Sequence, residues 1–156
     1  MRLPDVLVAR CYDVDVVRAI LTHPDIYDRI AEDGTPPRED LIPPMIGAAY
    51  LVGIVATEPM AIMVYHPVNG VTWQCHVQVL PEYRKEFADE FSKKALQWAW
   101  DMGVQKIVAQ IPFLYPNVRD FGLRHGFQVE GVNRQSYMKN GQLHDQWYLG
   151  LTRGDT

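Results

Sequence analysis

The hydrophobic pattern changes period several times along the chain, and each change marks an element. Val6 to Arg10 is a short apolar run that predicts a first strand. Asp13 then precedes Val14, Val17 and Leu21, which share one helical face, so Asp13 is the expected N-cap of a helix. Thr22-His23-Pro24-Asp25 predicts a second helix: a hydroxyl cap, proline in the first turn and an acid three residues after the cap. That helix is expected to end near Asp33-Gly34. Thr35 to Pro44 is proline-rich and charged and reads as a surface loop.

From Met45 onward strands take over. Tyr50–Val55 and Met60–Tyr65 are apolar runs separated by Ala56-Thr57-Glu58-Pro59. Asn69-Gly70 lies between Met60–Pro67 and Val71–Leu80, a hairpin signal because both turn residues accept positive φ. The three runs predict an antiparallel meander. Phe87 to Met102 is the clearest helix, with Phe87, Phe91, Ala95, Trp98 and Met102 on one face and Gly103 as its stop. Asp89–Lys93 and Glu90–Lys94 form i,i+4 pairs on its outer face. Trp98 and Trp100 read as core and rim. Lys106 to Ile111 is a β-branched strand, and Val118 to His125 a short helix closed by Gly126, with Leu123 and Phe127 on its buried side. Val132–Lys139 and Leu143–Leu151 flank a second turn, Asn140-Gly141. The order β-α-α-β-β-β-α-β-α-β-β predicts a single α/β domain spanning residues 1–156, with a mixed sheet of about seven strands and helices on both faces.

Composition narrows the partners. Net charge is −4 with acids and bases interspersed, so no basic stripe marks nucleic acid as the main ligand. Cys11 and Cys75 lie far apart without CxxC spacing, which argues against a disulfide framework or a cysteine-rich zinc site. His23, His66, His125 and His144 have no mutual spacing that suggests a metal. The start, Met1-Arg2-Leu3-Pro4-Asp5, lacks a signal peptide's apolar stretch, and nothing is long and apolar enough to span a membrane. A cytoplasmic protein is expected.

Local sequence adds a resemblance. Val77-Gln78-Val79-Leu80-Pro81-Glu82-Tyr83-Arg84 is similar to the strand and loop that cradle coenzyme A in GNAT (GCN5-related) N-acetyltransferases. Arg124-His125-Gly126-Phe127 resembles the "GF" ending after that family's fifth strand. Glu130 to Leu151 resembles the terminal hairpin of members that acetylate protein N-termini. The match runs in order over roughly residues 45–153. It implies acetyl-CoA as donor, an amine acceptor, and no metal. Val77 and Val79 would pair with the pantetheine arm, and Arg84, Lys85, Glu86, Phe87 and Ala88 would cradle the diphosphate. Asn117 is either such a contact or the cap of the helix after it. His66-Pro67-Val68-Asn69-Gly70-Val71-Thr72 and Tyr115-Pro116-Asn117-Val118 are similar to a phage branch of the family, some members of which carry head-assembly roles.

Acetyl transfer needs a neutral amine, a donor for the oxyanion and an acid for the departing thiolate. Alternation along Val71–Val79 places Thr72, Gln74, His76 and Gln78 on one face. His76 is the candidate general base; the other reading is a hydrogen-bonded histidine covered by a helix. Phe87 and Asp89 stand where the family has two glycines, and Gly122 where it has the acid tyrosine, with Tyr115 or Tyr137 as substitutes. Phe87 is expected to obstruct a phosphate and Asp89 to repel it. Two functions follow: an N-acyltransferase, or a non-catalytic protein of this fold acting through protein contacts, such as a phage head-assembly or virion factor. The second would place the chain in host cytoplasm or virion.

Overall fold

The computed structural model describes residues 2–155. In chain order the elements are β1 (Leu7–Arg10), α1 (Val14–Leu21), α2 (Pro24–Ile30), β2 (Ala49–Val55), β3 (Glu58–Pro67), β4 (Thr72–Val79), α3 (Arg84–Asp101), β5 (Lys106–Pro112), α4 (Pro116–Arg124), β6 (Gln128–Lys139) and β7 (Gln142–Thr152). The strands form one seven-stranded sheet, ordered β1-β2-β3-β4-β5-β7-β6. β4 and β5 are parallel and every other neighbouring pair is antiparallel. This is the mixed architecture that the hydrophobic pattern predicts.

Two apolar layers cover the sheet. Val17 and Ile20 of α1 pack on Tyr50, Val52, Ile62 and Val64. On the opposite face Phe87, Phe91, Ala95 and Ala99 of α3 pack on Leu51, Met63, Tyr65, Ile107 and Leu151. α4 joins this layer through Val118 and Phe121. Its Gly122 sits so close to Leu149 that an added Cβ would lie 3.1 Å from Leu149 Cδ1, which disfavours a larger residue there.

Several local expectations change. Asp13 caps α1 by accepting the Asp15 N–H at 2.9 Å. α2, however, is capped by His23, whose Nδ1 accepts the Asp25 N–H at 3.1 Å. Thr22 is committed to the preceding helix, donating its hydroxyl to the Arg18 carbonyl at 2.7 Å. α2 stops at Ile30, a turn early, because the chain turns extended at Ala31 and binds the terminal hairpin. There the Asp33 carboxylate accepts the N–H groups of Asn140 and Gly141 at 2.9 and 2.8 Å. α3 begins at Arg84, directly after a 3-10 turn over Pro81–Tyr83. Its buried face includes Ala88, Ser92, Leu96 and Trp100, whereas Met102 is exposed. α4 begins at Pro116 behind Tyr115, so Asn117 falls inside the first turn and does not cap it. Leu123 faces solvent; the inward residues are Val118, Phe121 and Gly122. β6 starts at Gln128 and carries register shifts between Val129 and Gly131 and between Asn133 and Tyr137.

One feature of the sheet positions the site. β4 and β5 pair only at Thr72–Lys106, Trp73–Ile107 and Gln74–Val108. Beyond that point β4 continues to Val79 paired with β3, and β5 to Pro112 paired with β7. The two strands part, and the β5-facing edge of Cys75 to Val79 has no strand partner.

Candidate functional site

A cavity of about 400 Å³ passes through this opening and touches both faces of the sheet. On the α3–α4 side its walls are apolar: Leu96, Val118, Phe121, Phe127 and Leu149, with Ser92 among them. On the α2 side they are polar and include Arg29, Glu32, His66, His76, Gln78 and Tyr137. The far wall on that side is held by the terminal hairpin. The Tyr137 hydroxyl meets the Ala31 carbonyl at 3.4 Å, and the Lys139 ammonium bonds the Asp28 carbonyl and, at 3.0 Å, the Tyr115 hydroxyl.

His76 lies in the β4 wall opposite Val64, and its ring meets His66 edge to face with centroids 5.6 Å apart. Solvent reaches the ring through the cavity, so it is not a histidine sealed beneath a helix. Protein packed around it desolvates the cation, and His66 adds repulsion; together they draw its pKa down to about 4. Contact with solvent limits how far that displacement goes, but its direction keeps the imidazole neutral at pH 7. Cys75, its chain neighbour on the opposite face, is buried, and desolvation holds its thiol up at about 12, so it offers no thiolate.

Three tyrosines line the cavity although α4 carries none; Tyr50 spends its hydroxyl on the Pro44 carbonyl at 2.7 Å. Tyr115 enters from the β5–α4 junction and Tyr137 from β6. Burial, with the neighbouring Tyr115, raises the Tyr137 phenol to about 12, so it holds its proton at neutral pH. Tyr115 and Tyr137 can each offer an O–H to an anion formed in the opening.

The predicted cradle is rearranged. Val77 lines the cavity, whereas Val79 is buried beyond it. Arg84 folds back and donates from Nε to the Val79 carbonyl at 2.9 Å, which fastens the end of β4. Lys85 and Glu86 are exposed, and Ala88 is buried. Phe87 does not lie across the cavity; its ring points into the core beside Tyr83, with centroids 6.0 Å apart. Asp89 reaches to α4, where Oδ1 accepts Arg124 Nη2 and meets His125 Nε2, both at 2.8 Å. Asn117 is exposed and outside the cavity wall. Asp145 accepts the Gln135 N–H at 2.8 Å, and Trp147 stacks on Phe113 with centroids 4.1 Å apart, so neither of these lines the cavity.

Ser92, His66 and His125 are functional candidates that the sequence reading passed over. The observed register pairs His66 with Gln74 and Val64 with His76, which places the two histidines on one face. A two-residue turn at Asn69-Gly70 would pair His66 with Trp73 and set them on opposite faces, so the turn signal in the sequence pointed away from this pair. For Ser92 the available signal was the small-residue spacing Ala88, Ser92, Ala95 and Ala99 along α3.

The mixed seven-stranded sheet with its four helices matches the fold of solved GNAT acetyltransferases. Among solved structures, spermidine N-acetyltransferase from Vibrio cholerae, in complex with CoA and spermine, superposes with a TM-score of 0.80 at 14% identity, covering 97% of each chain. The Salmonella typhimurium protein yncA, solved with its cofactor acetyl-CoA, gives 0.74 at 16% identity over 95% of this chain and 94% of that one. A GNAT-family acetyltransferase from Bacillus anthracis gives 0.74 at 16% identity over 97% of both chains. No protein-family model matches the sequence, and no curated protein matches it.

Proposed function

We propose that this chain is an N-acyltransferase that moves an acetyl group from acetyl-CoA to an amine. The observation that carries the reading is the gap between β4 and β5, with a cavity running through it from an apolar groove to a polar chamber. A thioester needs this arrangement: an apolar groove for its arm, a strand edge for the arm's amides, and a polar chamber from which a second substrate can approach.

In this reading the arm lies between α3 and α4 and pairs with the free edge of β4 around Val77, and possession of that edge by the donor excludes water from the reacting carbon. The diphosphate meets the first turn of α3, over Lys85, Glu86, Phe87 and Ala88, with the helix dipole favouring the anion. The acceptor enters on the α2 side. Its nitrogen lone pair attacks the thioester carbonyl, the C–N bond forms, and the proton leaving nitrogen passes to neutral His76. Collapse of the tetrahedral adduct breaks the C–S bond, and the thiolate takes a proton from Tyr115 or Tyr137. The products are an amide and the free thiol. Glu32 at the chamber wall favours a cationic amine approaching from solvent, which gives up its ammonium proton to water before the neutral nitrogen attacks.

Calorimetry with acetyl-CoA, followed by thiol release with polyamines, amino acids and peptide N-termini, tests the proposal. Saturable micromolar binding and amine-dependent thiol release are the expected results. No heat at millimolar acetyl-CoA from protein with a normal unfolding transition would refute it, and would favour a fold kept for protein contacts in cytoplasm or virion.

A further inference from the structure

We infer that the Ser92 hydroxyl is a binding contact for the amide-bearing arm of the acyl donor, an assignment that rests on the transferase reading above. Ser92 occupies the buried face of α3 with only 2% of its surface exposed. Its Oγ is shielded from solvent and has no hydrogen-bond partner. An alanine would fill this helical position without burying an unpaired polar atom, so the hydroxyl costs stability unless something else uses it.

The surroundings show what that could be. Ser92 lines the cavity together with Leu96 one turn later and with Val118 and Phe121 of α4. The other nitrogen- or oxygen-bearing side chain on this wall is His125, directly after α4, whose Nε2 already meets Asp89 at 2.8 Å. A secondary amide carries its N–H and C=O on opposite edges. If the β4 edge satisfies one, the other is turned toward an apolar helical wall, where Ser92 is the available partner. A hydroxyl both donates and accepts, and rotation about its side-chain bonds sets the direction.

The test uses the intact protein with coenzyme A as the probe, and an isosteric pair that differs in the hydroxyl. Calorimetry on Ser92→Val and Ser92→Ala is expected to show coenzyme A binding weakened by about 3- to 10-fold, the worth of one ordinary hydrogen bond. Ser92→Thr is expected to retain the affinity. The thermal midpoint of Ser92→Ala without ligand should equal or exceed that of the parent, because an unpaired hydroxyl has been removed. Equal affinity for Thr and Val variants, or for Ser92→Ala and the parent, overturns the assignment and leaves the transferase reading in place. A lowered midpoint for Ser92→Ala overturns it too, since the hydroxyl would then serve α3 itself. Failure of the parent protein to bind coenzyme A removes both.

Discussion

In the proposed transfer the imidazole of His76 accepts a proton, and its surroundings determine when it can. His66, Arg29 and Glu32 share the chamber with it. Desolvation first, and His66 second, lower its pKa toward about 4. A lowered value means that the neutral, proton-accepting form persists below the usual histidine range near 6.5. The acid limb of the pH–rate profile should therefore fall below pH 6. His76→Gln should reduce turnover by roughly 10²- to 10⁴-fold, the usual worth of a general base. Linkage gives a second readout. The unfolded chain takes up a proton near pH 6.5 and the folded chain resists until lower pH, so this group's contribution to stability is lost as pH falls through that window. Thermal midpoints measured from pH 7 to pH 4 should drop less in His76→Gln than in the parent. Full turnover in the variant would exclude His76 from proton transfer.

Turns separate what the chain states locally from what the fold imposes. Asn140-Gly141 has φ of 54° and 74°, the primed turn its residues favour. Asn69-Gly70 does not: neither residue has positive φ, and the Asn69 side chain instead accepts the N–H groups of Val71 and Thr72, both at 2.9 Å. The primed turn occurs where no such signal stands, at Ala56 and Thr57, with φ of 48° and 74°. A β-branched residue there is strained, and the long β2–β3 ladder holds it in place. Thr57→Gly is accordingly expected to stabilise the protein by about 1 kcal/mol, a rise of roughly 2–4 °C in the thermal midpoint. An unchanged or lower midpoint would show that the turn carries no strain. Element types and order were legible because each rests on contiguous periodicity. The gap between β4 and β5 was not, because it depends on register between strands joined through α3. Ser92 was hidden for a related reason: a serine among Lys93, Lys94 and Glu90 resembles a solvated face until packing shows otherwise.

At the scale of the whole molecule, the α3–α4 layer both holds the fold together and borders the groove. Phe87 is part of that core, so Phe87→Gly would remove a buried ring at a cost of roughly 3–5 kcal/mol, a large share of a typical domain's 5–15 kcal/mol. Asp89 differs, because half of its side chain is exposed and its partners are Arg124 and His125. Hydrogen bonds from Arg124, then from His125, hold its carboxyl below the usual carboxylate range. The clasp therefore persists through mildly acidic pH and is lost only as pH falls through that lowered value. It ties up two basic side chains at the rim of the groove that the donor's phosphates are proposed to approach. The Asp89–Arg124 pair, exposed on both sides, contributes at most about 1 kcal/mol. Asp89→Asn should thus lower the thermal midpoint by no more than roughly 4 °C. In the same variant Arg124 is released and one negative charge is removed, so coenzyme A should bind several-fold more tightly, with a steeper weakening as salt is raised. Calorimetry at two salt concentrations measures both effects. Unchanged affinity would mean that the phosphates leave the groove away from α4.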